Sequence, residues 1–263
     1  AVSQNIPVLQ PTNLKNDDFI EELSSYQADL QVVVAFRMLP EVVWAMPRLG
    51  TFNLHASLLP QYRGAAPINW AIINGEKETG ATTFFLDKEI DTGKIIDQVK
   101  MPIHETDDAE TVHDRLMLLG ADLLVKTVED IAQENIKPIP QEQLADSFDC
   151  LKPAPKLFKE TCQIDWNQPC ERVYNFIRGL SPYPGAWSEI SSSKGMLHLK
   201  AYNSEKIIAQ HNLTPGTVNP DNKKQLEIAT TNGFIRLKSV QAAGKKRMNA
   251  DDFMRGNAHL LTN

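Results

Sequence analysis

The sequence predicts an α/β protein with two parts, a domain built on a largely parallel sheet and then a small, mostly antiparallel β domain such as a barrel. In the first half of the chain, apolar runs typical of strands alternate with helical patterns. After a proline-rich stretch, the pattern changes to short strand-like runs separated by Gly and Pro. The length of 263 residues also corresponds to about two domains.

The first part contains the alternating elements. Residues 17–27 predict a short helix with an acidic first turn, and residues 30–36 form a β-branched run typical of a strand buried on both faces of a sheet. Residues 107–134 repeat apolar side chains near the helical period, which predicts a long amphipathic helix. The other predicted strands are 50–55, 81–86 and 94–101, and the other predicted helices are 40–46 and 67–74.

The stretch 136–160 has the composition of a linker, with four prolines among polar residues. After it, the sequence predicts a helix at 170–180 and then short strands at 186–190, 196–202, 216–218, 225–229 and 234–240. We therefore expect one domain over residues 1–137, a linker over 138–160 and a second domain over 161–263.

Charge is distributed unevenly along the chain, whose net charge is −6. Residues 1–150 carry 11 Lys and Arg against 24 Asp and Glu, a net −13, whereas residues 151–263 carry 16 against 9, a net +7. A basic part joined to an acidic one favours a polyanionic partner for the second part, such as nucleic acid. The alternative is a solvated basic face without a partner.

Several classes of protein are disfavoured. No apolar run reaches the ~18 residues that a membrane-spanning helix needs, and the first residues lack a basic stretch followed by an apolar core. The three cysteines, Cys150, Cys162 and Cys170, show no spacing typical of a zinc site or a disulfide framework. We expect a cytoplasmic protein without a membrane partner.

The densest cluster of chemically useful residues begins where a predicted strand ends. Asn53 and His55 alternate along this strand, so both side chains point to one face. An amide and an imidazole side by side are suited to stabilising a developing oxyanion and moving a proton. The alternative is that His55 is a core histidine with its hydrogen bonds satisfied and that Asn53 is a turn former.

A second cluster is the acidic loop 87–93, which follows another predicted strand and is expected to meet the first cluster at the same edge of the sheet. Asp91 would orient and charge His55 or act as a base through a water molecule. The alternative is a solvated turn, because Asp-Thr-Gly is favourable turn chemistry.

Together the two clusters resemble the 10-formyltetrahydrofolate-dependent formyltransferase family. That family carries an Asn-x-His pair, an SLLPxYRGxxP motif and a downstream DTG loop, and this chain has NLHASLLPQYRGAAP at 53–67 and DTG at 91–93. The resemblance extends across the chain through the segments HDRLMLLGADLL, APKLFKE, RGLSPYPGAW and GKKRMNADDFMRG. It implies a Rossmann-like, mostly parallel sheet that is incomplete at its N-terminus, followed by a small OB-like β-barrel domain.

The resemblance also implies a reaction, the transfer of the formyl group of 10-formyltetrahydrofolate to the α-amine of methionine esterified to initiator tRNA. Asn53, His55 and Asp91 would be catalytic: His55 and Asn53 would stabilise the oxyanion, and Asp91 would hold His55 and help to deprotonate the amine. The folate site would be lined by Ser57, Leu58, Leu59 and Pro60, with backbone contacts from 34–36 and 87–91. The folate is a co-substrate, and the reaction needs no metal.

The expected partners are therefore initiator methionyl-tRNA and a small-molecule folate, bound by a monomer. The basic second domain would contact RNA phosphates. The candidate contact residues are Lys156, Lys159, Arg178, Lys245, Lys246, Arg247 and Arg255.

The chain departs from the family pattern in two places. Relatives begin with a strand, a helix, a second strand and a basic loop, about 60 residues, before the equivalent of residues 6–9. We therefore expect the sequence as given to expose a sheet edge and to transfer formyl groups poorly or not at all. In addition, Phe36-Arg37 stands where relatives often have Tyr-Gly, so that Arg37 would alter the pterin contacts.

Two alternatives remain open. On the same chemistry, the acceptor would be a ribonucleotide amine, a sugar nucleotide or water; the basic second part and its segment matches argue against these. From another class, the chain would be a non-catalytic RNA-binding protein with a degenerate enzyme domain. The presence of Asn53, His55 and Asp91 together argues against that loss of activity.

Overall fold

The computed structural model describes residues 1–34, 38–144 and 150–261. They fall into two compact units, each assembled from three stretches of the chain. Unit 1 comprises Ala1–Arg63, Gly80–Lys100 and Met117–Lys152, and unit 2 comprises Gly64–Thr79, Met101–Leu116 and Pro153–Asn263. The domain boundaries expected from the sequence stay a prediction.

The elements follow the expected alternation, and most bounds lie close to those predicted. The strand Gly195–Ile208 runs well past its predicted end at residue 202, and the strand Met248–Asn249 and the helix Ala250–Leu261 are not among the predicted elements. In the first part they are α1 (Asp17–Ser25), β1 (Gln31–Val34), α2 (Glu41–Trp44), β2 (Thr51–His55), α3 (Pro67–Ile73), β3 (Glu78–Phe85), β4 (Ile95–Pro102) and α4 (Ala109–Ala132). In the second part they are α5 (Cys170–Gly179), β5 (Ala186–Ser192), β6 (Gly195–Ile208), β7 (Glu227–Thr230), β8 (Gly233–Ala242), β9 (Met248–Asn249) and α6 (Ala250–Leu261).

Local chemistry explains several of these bounds. The side chain of Asn16 caps α1 by accepting a hydrogen bond from the backbone N–H of Phe19, and two aspartates complement the positive end of the helix dipole. Pro67 is the first residue of α3, where its missing N–H costs nothing. The chain leaves α3 through Gly75, which has the left-handed φ of +74° that favours glycine.

The first sheet has the strand order β1-β2-β3-β4. β1 and β2 are parallel, as predicted. β3 runs antiparallel to β2, pairing Phe52 with Phe85 and His55 with Thr82, which the sequence analysis did not foresee. The connection through α3 is long enough for either direction, so the strand patterns alone do not determine it.

The prediction that 30–36 is a strand buried on both faces is wrong for the described part. Val32 and Val34 of β1 are 41% and 53% exposed. The two valines alternate with half-buried Gln31 and Val33, so one face of β1 is uncovered within the described residues. β1 also stands at the end of the strand order. Residues 35–37, which include Phe36 and Arg37, lie outside the described residues, as does the expectation about pterin contacts there.

The second sheet is antiparallel and has the order β5-β6-β8-β7, with β9 paired to β8. Its core is formed by apolar side chains of these strands together with α5 and α6, for example Ile177, Ile235 and Met254. β6 carries a register shift between Ala201 and Ser204, which is typical of a bulge that bends a strand. The predicted antiparallel β domain is thus confirmed, although the predicted strand 216–218 is reduced to one bridge between Val218 and Ile228.

Across residues 1–34, 38–144 and 150–261, no helix combines the length and the apolar character required to cross a membrane. α4 is long enough at 24 residues, but it carries charged side chains along its length, among them Asp114 and Lys126.

The glycine of the DTG loop is required by packing. A Cβ built on Gly93 would lie 1.7 Å from the carbonyl oxygen of Phe85, whereas one built on Gly256 in α6 meets nothing within 4 Å. We predict that Gly93→Ala lowers the free energy of unfolding by about 1–3 kcal/mol. Gly256→Ala is expected to raise it by up to about 1 kcal/mol, through helix propensity. Urea denaturation of both variants measures this; equal stability of Gly93→Ala and the parent contradicts the placement of the loop.

Candidate active site

β2 positions the amide and the imidazole of the first cluster. Asn53 and His55 project from the same face of this strand, while Phe52 on the opposite face is fully buried. His55 is the last residue of β2, and its side chain is 7% exposed. The ring therefore lies at the carboxyl end of the strand, where ligands bind in sheets of this kind.

One nitrogen of the His55 ring is committed to the backbone. Nε2 lies 2.8 Å from the carbonyl oxygen of Tyr62. A carbonyl oxygen only accepts, so Nε2 carries the hydrogen and donates it. Tyr62 itself has a left-handed φ of +61°, a conformation that turns the backbone sharply at this point of the motif. The nitrogen that remains available for chemistry is Nδ1.

That second nitrogen faces the second cluster. His55 Nδ1 lies 3.8 Å from Asp91 Oδ2, and the Asp91 side chain is only 11% exposed. The separation is longer than a hydrogen bond, as is common in catalytic pairs before substrate binds. A proton that arrives on Nδ1 creates an ion pair with the carboxylate in a largely buried setting. The structure thus brings His55 and Asp91 together as expected.

The route by which they meet differs from the expected one. Because β3 is antiparallel to β2, its last residue Phe85 lies beside Phe52, at the end of β2 remote from His55. Thr82 is the β3 residue paired with His55, about 10 Å back along the strand. The loop was expected to meet the first cluster because both follow strand ends at one sheet edge. Asp91 does meet His55, but that reason is wrong, because the loop starts at the other end of β2. The loop folds back, and Asp91 reaches the ring with a left-handed φ of +57°.

Asn53 carries an unsatisfied atom. Its Oδ1 is buried, and within the described parts of the chain it has no hydrogen-bond partner. A buried polar atom without a partner needs an explanation, and a water molecule or ligand group is the usual one. The oxygen and the NH2 of an amide are interchangeable in shape, so this position can offer either an acceptor or a donor.

The four residues expected to line a folate site form the loop after β2. Leu58 is half-buried, whereas the side chains of Ser57, Leu59 and Pro60 are buried. The Ser57 hydroxyl donates to the carbonyl of Gln61 at 2.7 Å, which closes the loop on itself. The Ser57 hydroxyl therefore donates its hydrogen within the motif.

Two residues that the sequence analysis missed hold this loop. Thr82 Oγ1 donates to the Ser57 carbonyl at 2.6 Å and accepts from the Leu59 N–H at 3.2 Å. Gln98 Nε2 donates to the Leu59 carbonyl at 2.8 Å and to Thr82 Oγ1 at 2.9 Å. Both lie on neighbouring strands, and only the strand register reveals that they face the motif.

The prediction that Arg178 contacts RNA phosphates is wrong. The side chain is buried, and its Nη1 donates to the carbonyls of His104 and Asp107 at 3.3 and 2.7 Å, while Nε donates to Asn175 Oδ1. Burial lowers the pKa of its guanidinium, which is consistent with a group that anchors backbone carbonyls of a loop. In contrast, Arg247 is exposed, lies 4.4 Å above the ring of Tyr202 and donates to Ser239.

The hydroxyl of Thr82 is central to the loop after β2. We predict that Thr82→Val, which keeps the shape and removes the hydroxyl, lowers the free energy of unfolding by about 1–3 kcal/mol because it leaves buried backbone groups unpaired. Thr231→Val, at an exposed position, is the matched control and is expected to change stability little. Thermal denaturation checks both; equal melting temperatures for Thr82→Val and the parent would contradict the hydrogen bonds described.

The chain is similar to known proteins over most of its length. Residues 2–128 match the family model described as Formyl transferase, and residues 156–258 match the model described as Formyl transferase, C-terminal domain. The methionyl-tRNA formyltransferase of Parabacteroides distasonis is 60% identical over 97% of this chain and 79% of its own length. That of Bacteroides thetaiotaomicron is 59% identical over 97% of this chain and 80% of its own length.

Among solved structures, HypX from Aquifex aeolicus in complex with tetrahydrofolic acid superposes with a TM-score of 0.64. It is 20% identical and matches 91% of this chain and 40% of its own, a likeness of fold. With both family models matched and relatives near 60% identical over about four-fifths of their length, the chain belongs to the formyltransferase family.

Proposed function

We propose that this protein transfers the formyl group of 10-formyltetrahydrofolate to the α-amino group of methionyl-initiator-tRNA. The observation that carries this proposal is the buried approach of His55 Nδ1 to Asp91 at 3.8 Å, on the strand that also carries Asn53, whose buried amide oxygen has no partner among the described residues. The family membership supports the reaction type, and the shared name of the most similar relatives supports the acceptor.

In this mechanism the methionine amine attacks the formyl carbon, whose oxygen gains negative charge. The NH2 of Asn53 and a proton on His55 Nδ1 are the donors available to stabilise that oxygen. Asp91 stabilises the protonated ring and takes part in removing the proton that the amine loses. The bond from the formyl carbon to the folate nitrogen then breaks, and that nitrogen receives a proton. The arrangement provides positioning and oxyanion stabilisation without requiring a metal ion.

The residues present fit a folate co-substrate in one specific respect. The buried Oδ1 of Asn53 has no hydrogen-bond partner among the described residues, so this amide is available to pair with a polar group of the co-substrate. We assign the loop Ser57, Leu58, Leu59 and Pro60 to the folate site, with Leu58 as its half-buried apolar member. The hydrogen bonds of this loop to Thr82 and Gln98 keep its shape before the ligand arrives.

The second domain, over residues 161–263, would bind the tRNA, while residues 1–137 would form the catalytic domain and 138–160 the linker. The net charge of +7 over residues 151–263 supports this role. An open depression on this part is lined by Asn203, Lys238, Ser239, Arg247, Met248, Asn249 and Asp252. It combines two cations with amide side chains, a composition suited to phosphate and sugar groups.

We predict that His55→Ala lowers kcat for formyl transfer to methionyl-tRNA by about 10²–10⁴-fold, because it removes the proton carrier. Asn53→Ala is expected to lower kcat by about 10²–10³-fold, as for the loss of one oxyanion donor. His113→Ala, whose side chain is 61% exposed, is the matched control and should leave kcat unchanged. Steady-state assays with the full-length protein and charged initiator tRNA measure these effects.

Acceptor assays and a tRNA-binding measurement separate the alternatives. Formylation of a ribonucleotide amine or a sugar nucleotide in preference to methionyl-tRNA would contradict the acceptor, and release of formate without an acceptor would indicate a hydrolase. If His55→Ala is inactive but still binds tRNA, the result supports an enzyme over a non-catalytic RNA-binding protein. Activity of His55→Ala equal to that of the parent would overturn the assignment.

A further inference from the structure

A fully buried glutamine connects the two segments that flank His55. Gln141 begins a short 3-10 helix, Gln141–Gln143, within the stretch predicted as a linker, and its side chain is 0% exposed. Just before it, Ile139 forms a two-hydrogen-bond bridge with Ile95 at the start of β4. The bridge places Gln141 beside the loop that ends where β4 begins, which is the loop that carries Asp91.

The side-chain amide of Gln141 uses its full hydrogen-bonding capacity. Nε2 donates to the carbonyl oxygens of Asp91 and Gly93 at 2.9 and 2.8 Å. Oε1 accepts from Nε and Nη2 of Arg63 at 3.0 and 2.6 Å. The reverse orientation would set an oxygen against two carbonyl oxygens and an NH2 against a guanidinium, so these partners determine the orientation of the amide.

Through these hydrogen bonds Gln141 is connected to the two groups that face the nitrogens of the His55 ring. Asp91, whose backbone carbonyl is held by Gln141, presents its carboxylate to His55 Nδ1. Arg63, on the other side of Gln141, directly follows Tyr62, whose carbonyl accepts from His55 Nε2. The side-chain amide of Gln141 therefore links two segments: the one whose Tyr62 carbonyl accepts from His55 Nε2, and the one whose Asp91 carboxylate faces His55 Nδ1.

The loop needs such a restraint because of the strand direction. Phe85 leaves β3 at the end of β2 remote from His55, and the chain returns about 10 Å to bring Asp91 to the ring. Asp91 does so in a left-handed conformation, which is unfavourable for a residue other than glycine and persists only where its surroundings hold it. The two hydrogen bonds from Gln141 lie on either side of Thr92, on the turn itself.

We propose that Gln141 and Arg63 are positioning residues of the formyl transfer, which together set the distance between the imidazole of His55 and the carboxylate of Asp91. This inference rests on the proposed function. Neither residue needs to touch substrate; each acts through the backbone of the segment that it holds. A displacement of about 1 Å between catalytic groups is enough to cost about 10²-fold in rate.

The sharpest variant is Gln141→Glu, which has the same shape. An ionised glutamate still accepts from Arg63, but it cannot donate to the carbonyls of Asp91 and Gly93, which releases the loop. We expect kcat to fall by about 10- to 100-fold, with the KM values for both substrates changed less than kcat. We also expect the pH profile of kcat to differ from that of the parent, a readout that a purely structural role would not change.

Two further variants complete the test. Gln143→Glu makes the same chemical change two residues away at an exposed position of the same short helix, and it should change neither kcat nor the pH profile. Arg63→Lys keeps the charge but loses the two-pronged donor, so its kcat should fall less than that of Gln141→Glu while its pH profile moves in the same direction. Thermal melting of each variant shows whether the protein is folded under the assay conditions.

The outcomes distinguish this inference from the function on which it depends. Absence of formyl transfer by the full-length protein to any acceptor would overturn the proposed function. An active parent with a folded Gln141→Glu of unchanged kcat and unchanged pH profile would overturn the positioning role alone. A loss confined to thermal stability, or a rise in KM with kcat preserved, would likewise overturn it, because either result indicates a structural or binding role.

Discussion

The hydrogen bond from His55 Nε2 to the carbonyl of Tyr62 is the constraint on which the site depends. It decides which ring nitrogen carries hydrogen, and thereby leaves Nδ1 as the nitrogen that faces Asp91. Without it the imidazole could rotate or change tautomer, and the carboxylate would face no defined partner. The residue whose carbonyl holds the ring, Tyr62, itself has a left-handed φ of +61°.

Around this bond the fold supplies two loops with different supports. The loop after β2 is held by side chains of the adjacent strands, chiefly Thr82 and Gln98. The loop after β3 returns toward His55 and is held through its backbone by Gln141. Thr82 and Gln141 are fully buried polar groups, and their hydrogen bonds favour one arrangement because an alternative leaves a buried donor or acceptor unpaired. The site is therefore organised by polar contacts among strands and loops that are far apart in sequence.

The residues of the candidate site were predictable from the sequence, but the way in which the fold brings them together was not. The motif at 53–67 and the DTG at 91–93 were recognisable because their residue types and order are specific, and Asp91 does lie beside His55. The reason given for that meeting was wrong, because it assumed strands in one direction, whereas β3 is antiparallel to β2. For Arg178 the outcome itself is wrong. A cation in a basic domain is expected on the surface, yet Arg178 is buried and donates to loop carbonyls.

The sequence by itself determined the alternation of helices and strands in the first part of the chain, the acidic first turn of α1 and the residue types of the candidate site. These depend on local chemistry: apolar periodicity, turn residues and the donors and acceptors that a given reaction requires. Only the tertiary structure decided the direction of β3, the exposure of β1 and the contacts of Thr82, Gln98 and Gln141. Those features follow from strand pairing and from the satisfaction of buried polar groups by distant residues, and no local pattern in the sequence specifies which distant residue will be the partner.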